Sequence, residues 1–132
     1  MLKIEMANNQ RIVYENDDFL VFTFFASRFP FEMWIVPKKH QSQFENISGG
    51  TQKQLAEALG KAFCKLNKAL NSPPFNYWIH TQPHHKEEAA DYYHWHLEIA
   101  PRVSKFGGYE MGSGVVIDVV SPEVAANFLK KA

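Results

Sequence analysis

The sequence predicts an α+β domain with a largely antiparallel sheet. Three observations carry this. Several strand-like runs follow one another directly, separated by short turn-forming segments. One long stretch has apolar residues at helical spacing. The strand-like runs are rich in Phe, Val, Ile and Trp, which suit a pleated surface. Strands and helices alternate unevenly, so a doubly wound parallel sheet is not expected.

Each element has its own signal. Residues 11–15 read as a short strand, and Asn16-Asp17-Asp18 as a turn. Residues 18–25 form a dense apolar strand, followed by Ser27-Arg28-Phe29-Pro30. Residues 31–37 give a third strand, closed by Pro37. Residues 38–50 read as a loop or short helical turn. A long helix is expected from Thr51 to about Asn71, with Thr51 and Gln54 fitting a capping box. Leu55, Leu59, Ala62, Phe63, Leu66 and Leu70 share one face of it, most simply as core packing. Gly60 weakens the helix slightly, and Ser72-Pro73-Pro74 ends it.

Residues 75–81 read as the next strand, and residues 82–93 as a polar surface loop in which His84 and His85 are solvated. The run from His94 to Arg102 is a further strand. Gly107, Gly108, Gly112 and Gly114 then fall within eight residues, which suggests turns and a close backbone approach. Residues 115–120 read as the last strand. Ser121 caps a terminal helix with Pro122 at its first position. Val124, Phe128 and Leu129 are expected to face inward there.

Bulk composition sets limits. The chain has 132 residues, which suits one domain. It is 45% hydrophobic and 14% aromatic, too apolar for disorder. Fourteen basic and fourteen acidic residues cancel, so no long-range attraction to nucleic acid is implied. Cys64 is the one cysteine, so no internal disulfide or cysteine-rich zinc site forms within this chain. It falls within the helical pattern and reads as a small buried residue. No signal peptide is evident in the mixed, polar residues 1–10. No apolar stretch is long enough to cross a membrane. A soluble, cytoplasmic protein is expected.

The candidate chemistry lies in His94-Trp95-His96-Leu97-Glu98-Ile99. Side chains alternate along a strand, so His94, His96 and Glu98 would share one face, with Trp95, Leu97 and Ile99 on the other. His80 lies in the strand-like run Phe75-Asn76-Tyr77-Trp78-Ile79-His80-Thr81. If the two strands pair, the imidazoles of His80, His94 and His96 would converge. Such a cluster chelates a metal, or holds a phosphate with one histidine left to attack. A lone strand histidine is usually a satisfied surface or core residue. Two at i and i+2, with a carboxylate at i+4, are less easily dismissed.

Taken together, these residues resemble a known family. His94-Trp95-His96-Leu97-Glu98 resembles a variant of the histidine-triad signature, His-φ-His-φ-His-φ-φ, with glutamate at the third position. Val36-Pro37-Lys38-Lys39-His40 resembles the stretch preceding the helix in that superfamily. The nearer resemblance is to the C-terminal half of galactose-1-phosphate uridylyltransferases. Phe29-Pro30-Phe31-Glu32, Tyr77-Trp78-Ile79-His80, the His94 run, Lys105-Phe106-Gly107-Gly108-Tyr109-Glu110 and the ending from Gly114 through Ser121-Pro122-Glu123 match in order. The match covers nearly the whole chain from about Arg11.

The resemblance implies a histidine-triad-like unit with an antiparallel sheet of five or six strands, one long helix and a C-terminal helix. Full-length members carry two such units and are homodimers, so pairing with an N-terminal half-domain or a second copy is expected. Their reaction is ping-pong transfer of a nucleoside monophosphate between a nucleotide sugar and a sugar phosphate. The family's nucleophilic His-Pro-His-x-Gln motif is absent from this chain. By the resemblance, His80, His94 and His96 bind zinc or iron, with a fourth ligand from the other half or with water or Glu98 in its place. Lys105 and Glu110 would contact the sugar phosphate, and Phe106 and Tyr109 would line its pocket. Lys105 and Glu110 read equally as plain surface charges on a glycine-rich hairpin.

Three functions follow. The first is a transferase half-domain that binds metal and supplies substrate contacts. The second is a standalone homodimeric histidine-triad hydrolase or transferase in which His96 attacks the α-phosphate. There His94 would orient His96, and Glu98 would replace the third histidine. The third is a metal- or nucleotide-binding module without chemistry.

Overall fold

The computed structural model describes residues 2–132. Five strands form one sheet: β1 (Ile12–Glu15), β2 (Phe19–Thr23), β3 (Met33–Pro37), β4 (Phe75–His80) and β5 (His96–Pro101). The sheet order is β1-β2-β3-β5-β4, and every neighbouring pair is antiparallel. Among the described residues there are four α-helices, α1 (Leu2–Asn8), α2 (Gly49–Leu70), α3 (Gly108–Ser113) and α4 (Pro122–Lys130), and two short 3-10 helices, Phe44–Asn46 and Glu87–Asp91.

The expected α+β architecture is therefore present, with five strands. The turn at Asn16 forms as its chemistry demands, its side-chain oxygen accepting from the backbone N–H groups of Phe19 and Asp18. One sheet face carries Phe19, Val21, Met33, Ile35, Leu97 and Ile99, and packs against α2 and α4. Leu55, Ala58, Ala62 and Leu66 are the buried residues of α2, so the apolar stripe is core. The opposite face is divided. Near β1 and β2 it is apolar, and Leu2 of α1 packs on Ile12, Leu20, Phe22 and Val36. Toward β5 and β4 it carries Glu98, His96, Trp78 and His80 in register: Glu98 pairs Trp78, and His96 pairs His80.

Several expectations are corrected. The cap of α2 is Ser48, whose side chain accepts from Thr51 N–H, so the helix begins two residues before Thr51. Cys64 is exposed on that helix instead of buried. Residues 115–120 form no strand; they run outside the sheet with Val115, Ile117 and Val119 exposed. The glycine-rich segment before them folds as α3 instead of a hairpin, ended by Gly114 in the left-handed region at φ 72°. In α4 the inward residues are Ala125, Ala126 and Leu129. Val124 and Phe128 are exposed, although the Phe128 ring lies 5.8 Å from that of Phe31. His94 stands before β5 and not within it.

The helix α1 carried no sequence signal. Its Glu5 is 2% exposed, and both carboxylate oxygens accept from Arg11, at 3.0 and 2.8 Å. Arg11 also pairs with Glu123 of α4. One guanidinium thus ties both ends of the chain to β1. Among the described residues no helix is long and apolar enough to cross a membrane.

Candidate metal centre and substrate-facing residues

β4 and β5 bring His80 and His96 side by side because their register pairs those two residues. Their rings stack at 4.8 Å and 20°. Trp34 of β3 stacks on the other side of His96 at 4.3 Å and 13°. His96 is therefore held between two flat rings. Its Nδ1 donates to the His94 carbonyl at 3.1 Å, which leaves Nε2 with a lone pair.

Glu98 completes the cluster from two residues along β5. It is 4% exposed. Its Oε2 accepts from Arg28 Nη2 at 2.9 Å. Its Oε1 lies 3.4 Å from His80 Nε2 and 3.5 Å from His96 Nε2. Burial pushes the Glu98 carboxyl up, but His96, His80 and Arg28 outweigh it and hold it below the ordinary carboxylate value.

The donor set fits a metal ion. One ligand atom from each of His80, His96 and Glu98 lies within 4.8 Å of the others. Adjacent ligand atoms of a tetrahedral site with bonds near 2.1 Å stand about 3.4 Å apart. Both imidazole–carboxylate separations match that spacing, and the imidazole nitrogens, within 4.8 Å of each other, would draw together to share one ion. His80 Nε2 is buried and makes no hydrogen bond, despite its 3.4 Å approach to Glu98. A buried ring nitrogen left without a partner is unfavourable, and a cation held between it and the carboxylate would satisfy both. Imidazole and carboxylate ligands suit zinc or iron.

His94 stands apart from this group. Its Nε2 donates to the Pro37 carbonyl at 2.7 Å, and its Nδ1 faces His40 Nδ1 at 3.3 Å. Burial pushes the His94 imidazole down, the Pro37 bond raises it, and the neighbouring His40 and His96 lower it again, for a net downward shift. The expected convergence thus holds for His80 and His96, with Glu98 in the third place.

Lys105 and Phe106 line a cleft with Trp78 and Phe29. Tyr109 and Glu110 lie beyond it on α3, and Glu110 accepts from Gly107 N–H at 2.9 Å. Two residues have roles that the sequence pattern did not assign. Arg28 orients Glu98, and Glu32 holds the Arg28 loop by accepting from the backbone N–H groups of Arg28 and Phe29 and from Trp34 Nε1. A buried glutamate flanked by Pro30, Phe31 and Trp34 was the available signal.

The chain is similar to known proteins over nearly its whole length. Residues 1–131 match the family model described as galactose-1-phosphate uridyl transferase, C-terminal domain. The chain is 37% identical over 128 residues to an ADP-glucose phosphorylase of Arabidopsis thaliana, covering 96% of this chain and 36% of that protein. It superposes with a TM-score of 0.88 on a crystal structure of an Arabidopsis thaliana ADP-glucose phosphorylase with bound ADP-glucose, at 36% identity, covering 96% of this chain and 42% of that one. A zinc-bound histidine triad family protein from Mycobacterium smegmatis shares the fold at a TM-score of 0.65 and 17% identity, covering 98% of this chain and 90% of that one. The chain thus spans well under half the length of the ADP-glucose phosphorylase relatives. On its sequence match and its histidine-triad-like fold, it belongs to the galactose-1-phosphate uridyl transferase family, as the C-terminal domain.

Proposed function

We propose that this chain is the metal-binding, substrate-contacting half of an enzyme of nucleotide-sugar metabolism. The observation that carries the reading is the convergence of His80 Nε2, His96 Nε2 and Glu98 Oε1. A zinc or iron ion would be held there, with a fourth ligand from water or from an N-terminal half-domain. With three protein ligands and a fourth from another half, such a site is structural and joins two units. The ADP-glucose phosphorylase relative, seen with bound ADP-glucose, supports a nucleotide sugar as substrate; a sugar phosphate is the second substrate in this reading. Lys105 would neutralise phosphate, and Phe106, Tyr109 and Glu110 would meet the sugar. Pairing with an N-terminal half or a second copy fits the exposed edge of β4.

Within this reading the chain's own residues do definite work. His96 is oriented by Trp34, His80 and the His94 carbonyl. Glu98 keeps a negative charge in a buried place because Arg28 holds one oxygen. The bound metal would supply a fixed positive charge that locks β4 to β5.

Metal analysis of the purified chain tests this. Near-stoichiometric zinc or iron, lost in His80→Ala and His96→Ala and kept in His94→Ala, supports the set read here. Loss in His94→Ala as well would add that imidazole to the ligands. Metal-free protein would sink the reading.

One observation favours a second reading. The Nδ1 donation of His96 also prepares its Nε2 for attack on phosphorus, as in a standalone homodimeric histidine-triad enzyme. An imidazole committed to metal cannot attack. A phosphoramidate trapped on His96 in metal-free protein would replace the first reading with this one.

A further inference from the structure

Glu32 is 1% exposed and stands immediately before β3. Among the described residues no cation pairs with it. A buried carboxylate without a cation is costly unless hydrogen bonds satisfy it. Neutral N–H groups do so here. Its Oε2 accepts from the backbone of Arg28 at 2.9 Å and of Phe29 at 3.2 Å. Its Oε1 accepts from Trp34 Nε1 at 2.9 Å.

The two oxygens serve different arms of the metal centre. On one side, Arg28 Nη2 donates to Glu98 Oε2. On the other, the Trp34 ring stacks on His96, and Phe24 stacks on Trp34 at 3.8 Å and 4°. Trp34 also stands opposite Glu98 in the register of β3 with β5. A closed circuit of contacts thus runs from Glu32 through Trp34 to His96, on to Glu98, and back through Arg28. The turn that closes it holds Phe31 at φ 64°, in the left-handed region that bulky residues rarely adopt. Such strain persists where surrounding contacts over-determine it, and it clusters at functional sites.

We propose that Glu32 is a positioning residue that fixes His96 and Glu98 together before any metal binds. A carboxylate accepts on both oxygens, whereas an amide accepts on one and donates from the other end. An amide would therefore serve one arm and turn its NH2 group toward the donors of the other. Shaping the turn needs only the two backbone bonds. The bond to Trp34 Nε1 reaches further, to a ring that touches a metal ligand. Holding both ligands in place removes the ordering that an ion would otherwise have to impose. This role rests on the metal reading only for the affinity it confers.

Cobalt(II) titration against a chelator, with the visible spectrum reporting ligand geometry, tests it beside 15N NMR of metal-free protein. Glu32→Leu should weaken cobalt binding by about 10–100-fold and alter the spectrum. Glu32→Gln, which keeps the volume and one arm, should fall between Glu32→Leu and the unsubstituted chain. Trp34→Phe keeps a ring and loses the Nε1 donor. It should weaken cobalt binding several-fold by itself, and by less than about twofold when added to Glu32→Leu. In metal-free protein the His96 Nδ1–H should exchange with water about tenfold faster in Glu32→Leu, because local opening becomes easier. Leu66→Ala, a core change on the other sheet face, should lower stability and leave cobalt affinity within about twofold. Unchanged cobalt affinity in Glu32→Leu, or Trp34→Phe weakening both backgrounds equally, would overturn the role and leave the metal site standing. An unsubstituted chain that binds no cobalt would sink the metal reading instead. His96 exchange would then decide the role alone: faster in Glu32→Leu supports it, and unchanged overturns it.

Discussion

Arg28 Nη2 donates to Glu98 Oε2 at 2.9 Å, joining two residues 70 positions apart. That bond decides which carboxylate oxygen is left for the imidazoles. The Arg28 loop is itself fixed by the buried Glu32 carboxylate. Orientation is therefore passed from Glu32 to Arg28 to Glu98. Residues that orient a ligand from outside the coordination shell typically change metal affinity by about 10–100-fold. Arg28→Met is expected to weaken zinc binding by that factor in a chelator competition titration, and Arg28→Lys by less. Equal affinity in all three proteins would show that Glu98 needs no support.

Glu98 also predicts a pH dependence in chelator-treated protein. Its carboxyl is held below the ordinary value of 4.5. The stability it contributes is therefore complete above about pH 4.5 and is lost as pH falls through the lowered folded value. Arg28 is 55% exposed on its side chain, which screens the pair. Glu98→Gln should cost about 1.5 kcal/mol at pH 7, at the low end for hydrogen bonds to charged groups. The deficit, read from urea midpoints, should shrink toward pH 3. A deficit constant across that range would exclude the carboxylate as its source.

Arg11 holds the first helix to the sheet. Its removal leaves the Glu5 carboxylate buried without a partner. Breaking a buried pair from one side costs about 3–5 kcal/mol. Arg11→Met should lower stability by about 3 kcal/mol in urea denaturation, and Glu5→Gln combined with Arg11→Met should recover part of it. No recovery in the double variant would mean that Arg11 acts through Glu123.

The start of α2 offers a clean contrast. Ser48→Ala removes the cap and should cost about 1 kcal/mol. Thr51→Ala leaves that cap in place and should cost a few tenths. The reverse order in thermal unfolding would restore Thr51 as the cap.

Much of this was legible in the chain. Residues 12–23 and 33–37 declare strands by their β-branched and aromatic content. Leu55, Ala62 and Leu66 declare the inward face of α2 by their spacing. His80 and His96 met because β4 and β5 pair in the register that sets these two residues opposite each other. Other features depend on tertiary context. Cys64 neighbours a buried stripe, and spacing alone does not fix where its edge falls. His94 shares the two-residue alternation of the motif, yet the strand begins after it. Arg28 reads as an ordinary loop cation until Glu98 is placed beside it.

Residues 115–120 are rich in valine and isoleucine, yet lie outside every ladder. Such a run fails as a strand here for want of a neighbour, not for want of propensity. Its cost falls on the protein's shelf life. Short β-prone apolar windows at the surface seed self-association as concentration rises. A single gatekeeper such as Val119→Lys should slow turbidity during concentration while leaving the imidazole cluster untouched. Six residues outside the imidazole cluster then set how readily copies of this chain are expected to adhere to one another.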